Sequence, residues 1–208
     1  MMHIRRMNDA HNAFIAHLEQ HDPILLNVVT QNGPIALPEQ QPHFEALCRA
    51  IISQQLSTKA AATIVRRVFD WANDREGLNP STLLNADPTS LRALGISGQK
   101  AAYLHALAEA WTSNPKSMKA LDELSDAEVI KTLTDIKGIG EWTAHMFLIF
   151  TLRRPDVFAP GDLAIKKAMV RLYGLSMASS IREFDAVAEP WRPYRSLACL
   201  HLWRSLDG

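Results

Sequence analysis

Apolar residues along the chain recur at spacings of three and four positions, which is the period of an amphipathic α-helix. In the stretch 43–53, for example, Phe44, Leu47 and Ile51 fall on one helical face. No stretch shows the alternation of apolar and polar residues that is typical of a half-buried strand. The pattern predicts an all-α chain, with helices at about 8–21, 23–32, 43–53, 58–71, 99–111, 162–173, 181–189 and 194–206.

Two further predicted helices flank a glycine turn. Ser125 with Glu128 three residues later is a capping box and marks the start of the first helix. Gly138-Ile139-Gly140 forms the turn, because glycines permit positive φ and leave backbone amides uncovered. Exposed amides at the start of the second helix suit a phosphate. That helix is marked by Trp142, Thr143, Met146, Phe147, Ile149 and Phe150 at helical spacing.

Length and composition indicate one domain, or two lobes that share a core. The chain has 208 residues, of which 47% are hydrophobic. No apolar run approaches the roughly 20 residues of a membrane helix, and the N-terminal segment lacks the apolar core of a signal peptide. Cys48 and Cys199 lie on apolar helical stretches, so we expect reduced, buried thiols in an intracellular protein. Two cysteines are too few to ligate an iron–sulfur cluster.

Three stretches of the chain resemble the helix-hairpin-helix/GPD (HhH-GPD) superfamily of DNA glycosylases. The first is Ile136-Lys137-Gly138-Ile139-Gly140-Glu141-Trp142-Thr143-Ala144, followed by Asp156-Val157-Phe158 and by residues 160–165. The second is the stretch 46–60, and the third is 190–203. The resemblance covers roughly residues 40–204 and is strongest to the 3-methyladenine DNA glycosylase II group, in a short form without that group's extra N-terminal domain.

The resemblance implies an all-α, two-lobed fold in a single HhH-GPD domain. One lobe is expected to comprise residues of about 40–150, including the hairpin 133–144. The other is expected to combine residues 1–39 with 151–208. In such a fold the cleft between the lobes holds Asp162, and DNA lies across the hairpin.

Asp162 is the candidate catalytic residue. Cleavage of an N-glycosidic bond gives the sugar oxocarbenium-like character, and a nearby carboxylate stabilises that charge and can orient or deprotonate water. Asp162 follows Pro160-Gly161 at a loop-to-helix junction, 22 residues after Gly140. It matches the family's catalytic aspartate, whereas the alternative is an ordinary helix N-cap. Asp156 is a rival carboxylate, but it follows two arginines and is expected to pair with arginine in a structural role.

Position 142 distinguishes two mechanisms. Glycosylases of the family that also cut the strand place a lysine two residues after the second hairpin glycine, where it forms a Schiff base. Here that residue is Trp142. We therefore expect a monofunctional enzyme that uses water as its nucleophile, leaves an abasic site and has no lyase activity.

Aromatic residues suggest the substrate. Alkylated purines such as 3-methyladenine and 7-methylguanine carry positive charge, and a cation over an indole face gains about 0.5–2 kcal/mol. Trp142 and Trp203 match pocket tryptophans of the family, and Met146 stands where an aromatic residue would line the pocket. Trp191 and Tyr194 are further aromatic candidates. The alternative role for each tryptophan is core packing.

Two segments are expected to contact DNA. Gln55, with Leu56 beside it, stands in the loop from which the family inserts a side chain into the duplex, although glutamines there could simply cap helix ends. The hairpin is expected to contribute Lys137, Gly138, Ile139, Gly140 and Thr143. The family also holds a monovalent cation, Na⁺ or K⁺, among hairpin carbonyls, which correspond here to those of Thr134, Ile136 and Ile139. We expect no required cofactor.

The net charge of zero argues against strong electrostatic binding of nucleic acid. Residues 131–208 carry a small basic excess, which predicts modest, salt-sensitive DNA affinity that rests on amides as much as on lysines. We expect a monomer in the cytoplasm, nucleoid-associated if bacterial, that binds double-stranded DNA with damaged bases and no membrane. Two alternatives remain: a glycosylase for oxidised, deaminated or mismatched bases, and a non-catalytic DNA-binding module.

Overall fold

The structure is a computed structural model that describes residues 2–37 and 40–206, with only the backbone given for residues 2–8. Within these ranges every regular element is helical, which confirms the predicted all-α class. No helix there is long and apolar enough to cross a membrane. The helices are α1 (Met2–His21), α2 (Pro23–Asn32), α3 (His43–Ser53), α4 (Thr58–Asn73), α5 (Pro80–Leu84), α6 (Pro88–Ala93), α7 (Gly98–Ser113), α8 (Pro115–Lys119), α9 (Asp126–Thr134), α10 (Glu141–Met146), α11 (Leu163–Tyr173), α12 (Ile181–Ala188) and α13 (Arg195–Arg204).

The chain divides into two compact units, and the first joins both ends of the sequence. It comprises Met1–Glu39 and Arg153–Gly208. Helix α13 packs against α2 and α11 within it. Burial of the apolar faces stabilises this unit, since side chains of five of its helices are fully inaccessible: Phe14, Leu18, Leu25, Val29, Ile165, Met169, Phe184 and Leu202.

The second unit comprises Gln40–Leu152 and contains the glycine hairpin. Helix α3 packs against α4 and α7, and α9 packs against α10. A π-helical turn, Phe147–Thr151, follows α10 directly. The interior of this unit is also apolar, with fully buried side chains that include Leu47, Ile51, Val68, Leu107, Leu133 and Leu148.

Local signals placed most helix ends correctly. Ser125 and Glu128 form the predicted capping box at the start of α9. Gly174 ends α11 in the left-handed conformation that favours glycine. The first helix is the exception, because it begins at Met2 and not near residue 8. Polar residues at positions 8 and 9 continue the helix, so a potential capping residue does not by itself start one.

Candidate active site

Asp162 lies at the start of α11, in the first unit. Its amide donates to the carbonyl of Ala159 at 3.0 Å, which closes the turn formed by Pro160-Gly161. Its Oδ1 accepts a hydrogen bond from the amide of Ile165 at 2.8 Å, so it is the N-cap of α11. The residue is only 8% exposed. The first bond fixes the backbone of Asp162, and the second fixes its carboxylate.

Trp203 contacts the same carboxylate. Its indole Nε1 donates to Asp162 Oδ1 at 3.0 Å, across 41 positions of sequence. Helix α13 brings the indole there, and the ring is only partly buried. The sequence predicted a catalytic role for one residue and a pocket role for the other, and the structure brings the two together. It also shows that Asp162 is a helix cap in addition to any chemical role.

Cys199 is buried close to this pair. Burial, followed by the negative charge of Asp162, raises the pKa of the Cys199 thiol to about 12. The thiol donates to the carbonyl of Val157 at 3.7 Å. Cys199 and Cys48 are both free and buried, as the sequence predicted. The raised pKa keeps this buried thiol in its neutral form.

Asp156, the rival carboxylate, is paired with two arginines. Its Oδ1 accepts from Arg195 Nε and its Oδ2 from Arg192 Nη1, each at 2.6 Å. The prediction that Asp156 pairs with arginine is confirmed, although these partners come from the C-terminal segment and not from the two arginines that precede it. The pairing ties the segment before Asp162 to α13 and gives Asp156 a structural role.

The structure corrects one aromatic candidate. Trp191 has no exposed surface, and its indole Nε1 donates to Asp22 Oδ2 at 2.7 Å. A base cannot stack on it, so its suggested role in the pocket is wrong. Tyr194 packs its ring 5.5 Å from the ring of Phe14 and 5.4 Å from that of His17. Long-range packing buries Trp191, and no signal in the neighbouring sequence predicts that burial.

The two hairpin glycines serve different purposes. Gly138 has φ of 96°, and a Cβ atom there would lie 2.2 Å from Cγ of Tyr103, so the tyrosine ring packs directly on it. Gly140 has φ of −97°, which any residue adopts, and a Cβ there would meet nothing within 4 Å. Glycine permits positive φ, and of the two hairpin glycines only Gly138 adopts it. Gly140 instead leaves the approach to the amides open.

The other predicted DNA contacts of the hairpin differ in exposure. Lys137 is exposed. Ile139 and Thr143 are each only 4% exposed, because they lie on faces that pack into the second unit. The amide of Ile139 also donates to the carbonyl of Ile136 at 3.1 Å. Ile139 and Thr143 thus offer little side-chain surface to DNA, and the amides of Gly138 and Gly140 remain the predicted phosphate ligands.

Trp142 and Met146 lie one turn apart on α10, on the same face. Trp142 is 46% exposed, an unusual degree for so large an apolar side chain. Met146 is partly exposed. The assignment of these two residues to the pocket stays a prediction.

The loop between α3 and α4 holds the predicted intercalating residues at the surface. Gln55 is exposed and has φ of 57°, a conformation that costs a non-glycine residue about 1–2 kcal/mol. Leu56 is 37% exposed. Such strain is concentrated at functional sites. The structure does not choose between Gln55 and Leu56, but both are presented to solvent.

Gln54 is a residue that the sequence analysis missed. Its Nε2 donates to the carbonyl of Gly138 at 2.9 Å and so joins the loop to the hairpin. Tyr103, which packs on Gly138, was also missed. Neither has a local signal, since each contacts the hairpin from a distant part of the chain.

A monovalent cation at the hairpin carbonyls stays a prediction. Within residues 40–206, no protein donor is paired with the carbonyls of Thr134 and Ile139, whereas the Ile136 carbonyl accepts from the Ile139 amide. The Thr134 hydroxyl donates to the carbonyl of Ile130 at 2.8 Å. Neutral oxygens of this kind suit Na⁺ or K⁺. No cluster of three His, Cys, Asp or Glu residues that could hold a metal ion occurs in the described ranges.

Comparison with known proteins gives consistent matches. Residues 48–193 match the family model described as HhH-GPD superfamily base excision DNA repair protein. DNA-3-methyladenine glycosylase 1 of Schizosaccharomyces pombe is 34% identical over 92% of this chain and 84% of its own. An alkylbase DNA glycosidase-like protein of the same organism is 31% identical over 90% of both chains. The solved structure of a 3-methyladenine DNA glycosylase of that yeast with abasic DNA superposes with a TM-score of 0.82, at 33% identity, over 94% of this chain and 97% of that one.

Proposed function

The chain belongs to the HhH-GPD superfamily of base excision DNA repair proteins, and we propose that it is a monofunctional DNA glycosylase for alkylated purines. Its substrates would be bases such as 3-methyladenine and 7-methylguanine in duplex DNA, and its product an abasic site. The observation that carries the proposal is the Asp162–Trp203 pair, a buried carboxylate fixed by an indole N–H and a helix amide. The relatives named 3-methyladenine glycosylases support the substrate class.

Asp162 would act on the sugar. When the bond between C1′ and the base breaks, the electron pair of that bond leaves with the cationic purine and neutralises it. The sugar is left with positive charge. The carboxylate stabilises that charge and orients a water, which adds to C1′ and loses a proton. Because Trp203 and Ile165 already hold Oδ1, the carboxylate does not need to reorganise as the charge develops.

Trp142 and Met146 would contact the extruded base. A cationic purine over the exposed indole gains about 0.5–2 kcal/mol relative to a neutral one. Extrusion costs a few kcal/mol and costs less for a weakly paired, damaged base. Preference for cationic lesions would thus arise from stacking and from weak pairing together.

The hairpin would hold the DNA backbone. The amides of Gly138 and Gly140 would donate to a phosphate, and Lys137 would add a positive charge. A monovalent cation on the carbonyls of Thr134, Ile136 and Ile139 would supply further positive charge beside that phosphate. We propose that the protein acts on DNA as a monomer.

The test is release of bases from methylated duplex DNA by the wild type, Asp162→Asn and Asp87→Asn. Both variants retain an N-cap, since asparagine caps helices as well as aspartate does. Asp87 caps the exposed start of α6 and so serves as the matched control. We expect the wild type and Asp87→Asn to release 3-methyladenine and 7-methylguanine, and Asp162→Asn to release them at least about 100-fold more slowly.

The same reactions report lyase activity. We expect the DNA strand to stay intact after base release and to break only when alkali cleaves the abasic site. Release of neither base by the wild type would contradict the proposed function. Strand cleavage without alkali would contradict its monofunctional character.

A further inference from the structure

Lys100 binds the loop that carries Gln55 and Leu56. Its Nζ donates to the carbonyls of Ile52 and Gln54, each at 2.7 Å. These carbonyls belong to the C-terminal end of α3, where backbone acceptors are unpaired and the helix dipole is negative. The ammonium group therefore caps α3 at the point where the loop begins.

The loop is in turn joined to the hairpin. The backbone carbonyl of Gln54 accepts a hydrogen bond from Lys100. The side-chain Nε2 of Gln54 donates to the carbonyl of Gly138 at 2.9 Å. Tyr103 lies one turn after Lys100 on α7 and packs its ring on Gly138. Gln99 donates to the Tyr103 hydroxyl at 2.6 Å and fixes the ring. One face of α7 thus holds the loop through Lys100 and the hairpin through Tyr103.

The loop needs such support because its backbone is strained. Gln55 adopts φ of 57°, which non-glycine residues avoid and which persists only when neighbouring structure imposes it. Hydrogen bonds hold the backbone on both sides of Gln55. The preceding carbonyl, that of Gln54, accepts from Lys100, and the following amide, that of Leu56, donates to the carbonyl of Ser53 at 3.3 Å. These two bonds hold the loop backbone that carries the exposed side chains of Gln55 and Leu56.

We propose that Lys100 is the positioning residue for base extrusion, because it fixes the inserting loop and, through Gln54, couples that loop to the phosphate-binding hairpin. The inference rests on the proposed function, since the loop has a base to displace only if the protein acts on duplex DNA. Lys100 does not touch the reacting atoms. Its removal should slow extrusion and leave the chemistry on an already unpaired base intact.

The experiment compares two duplexes that carry 7-methylguanine, one opposite cytosine and one opposite an abasic-site analogue. Single-turnover release is measured for the wild type, Lys100→Met, Lys100→Arg and Lys119→Met. The methionine keeps the length of the side chain without its charge, and Lys119 is an exposed lysine on α8 that serves as control. Arginine can still donate to both carbonyls, so it should restore most of the activity.

We expect Lys100→Met to slow release from the paired duplex about tenfold or more and from the unpaired one less than about twofold, because misplacing a positioned group slows only the step that uses it. Lys100→Arg and Lys119→Met should resemble the wild type on both. An equal loss on both duplexes, or no loss on either, would overturn the proposal.

A second measurement does not depend on catalysis. A duplex with 2-aminopurine beside an abasic-site analogue reports unstacking as a rise in fluorescence when a side chain enters the duplex. We expect the rise with the wild type and Lys119→Met, and its loss with Lys100→Met at saturating protein. If no base is released by any protein but this pattern holds, the proposed function fails while the role of Lys100 stands. A full rise with Lys100→Met would contradict that role.

Discussion

Asp22 and Asp162 share the same local hydrogen bonds but differ in the residues around them. Both cap a helix in the first unit, both are almost fully buried, and each accepts the amide three residues later, at 2.9 and 2.8 Å. Each also accepts an indole N–H, from Trp191 at 2.7 Å and from Trp203 at 3.0 Å. From the helix cap and the indole contact alone, the two aspartates cannot be told apart.

Their partners separate them. At Asp22 the second oxygen, Oδ2, accepts from both Trp191 and the Tyr173 hydroxyl, the latter at 2.6 Å. Burial, then its bond to Asp22, raises the pKa of Tyr173 above its usual value, so the hydroxyl stays protonated and donates. At Asp162 the two donors converge on Oδ1, and Trp203 is partly exposed. The comparison shows that a core network and a candidate catalytic site can share one local construction.

The largest stability effect should come from Asp22→Asn. The amide places a donor against the donors of Tyr173 and Trp191, and we expect the free energy of unfolding to fall by about 3 kcal/mol. Denaturation by urea measures that fall. The rate of base release per folded molecule should match the wild type. A slower rate in the folded protein would mean that Asp22 has a role in the site and would break the comparison.

Acid should weaken the first unit through His201. Burial, then the positive charges of His11 and Arg204, lowers the pKa of His201 from 6.5 to about 4. The unfolded chain therefore binds this proton more readily, and the contribution to stability is complete above pH 6.5 and is lost as the pH falls towards 4. The loss should reach about 3 kcal/mol.

The measurement is the free energy of unfolding between pH 7 and 4 for the wild type and His201→Gln. His201→Gln should flatten the dependence of that free energy on pH. An unchanged slope in His201→Gln would place the acid sensitivity elsewhere.

Substitution of Trp203 or Trp191 should change stability less than Asp22→Asn does, and the two substitutions should differ in their effect on base release. Trp203→Phe keeps an aromatic ring but removes the N–H on Asp162, and we expect a loss of stability of about 1 kcal/mol together with roughly tenfold slower base release. Trp191→Phe leaves a buried oxygen of Asp22 short of a donor and a small cavity, so stability should fall by about 2 kcal/mol. Base release by folded Trp191→Phe should not change. If both variants slowed release equally, the two aspartates would not differ in role.

Local structure could be predicted because its signals are local. The capping box of Ser125 and Glu128, the left-handed Gly174 and the N-cap at Asp162 each depend on residues within a few positions. The glycine turn of the hairpin was found in the same way, although only Gly138 needs its positive φ.

The site itself depends on contacts that have no local signature. Trp191 and Trp203 both belong to the family-like stretch 190–203, yet only tertiary packing decides that the first is fully buried. Gln54 and Lys100 meet the loop and the hairpin across 46 to 84 positions of sequence. The resemblance identified Asp162 and Trp203 as candidate site residues. Only the fold shows that the indole of Trp203 binds the carboxylate of Asp162.

The most direct test of the central claim is the single-turnover rate of 7-methylguanine release by Asp162→Asn, measured with its free energy of unfolding. Asparagine keeps the helix cap and an acceptor for Trp203 but carries no charge. The account predicts a rate at least about 100-fold lower and a free energy of unfolding within about 1 kcal/mol of the wild type. A wild-type rate in a protein of unchanged stability would show that Asp162, like Asp22, only holds the fold together.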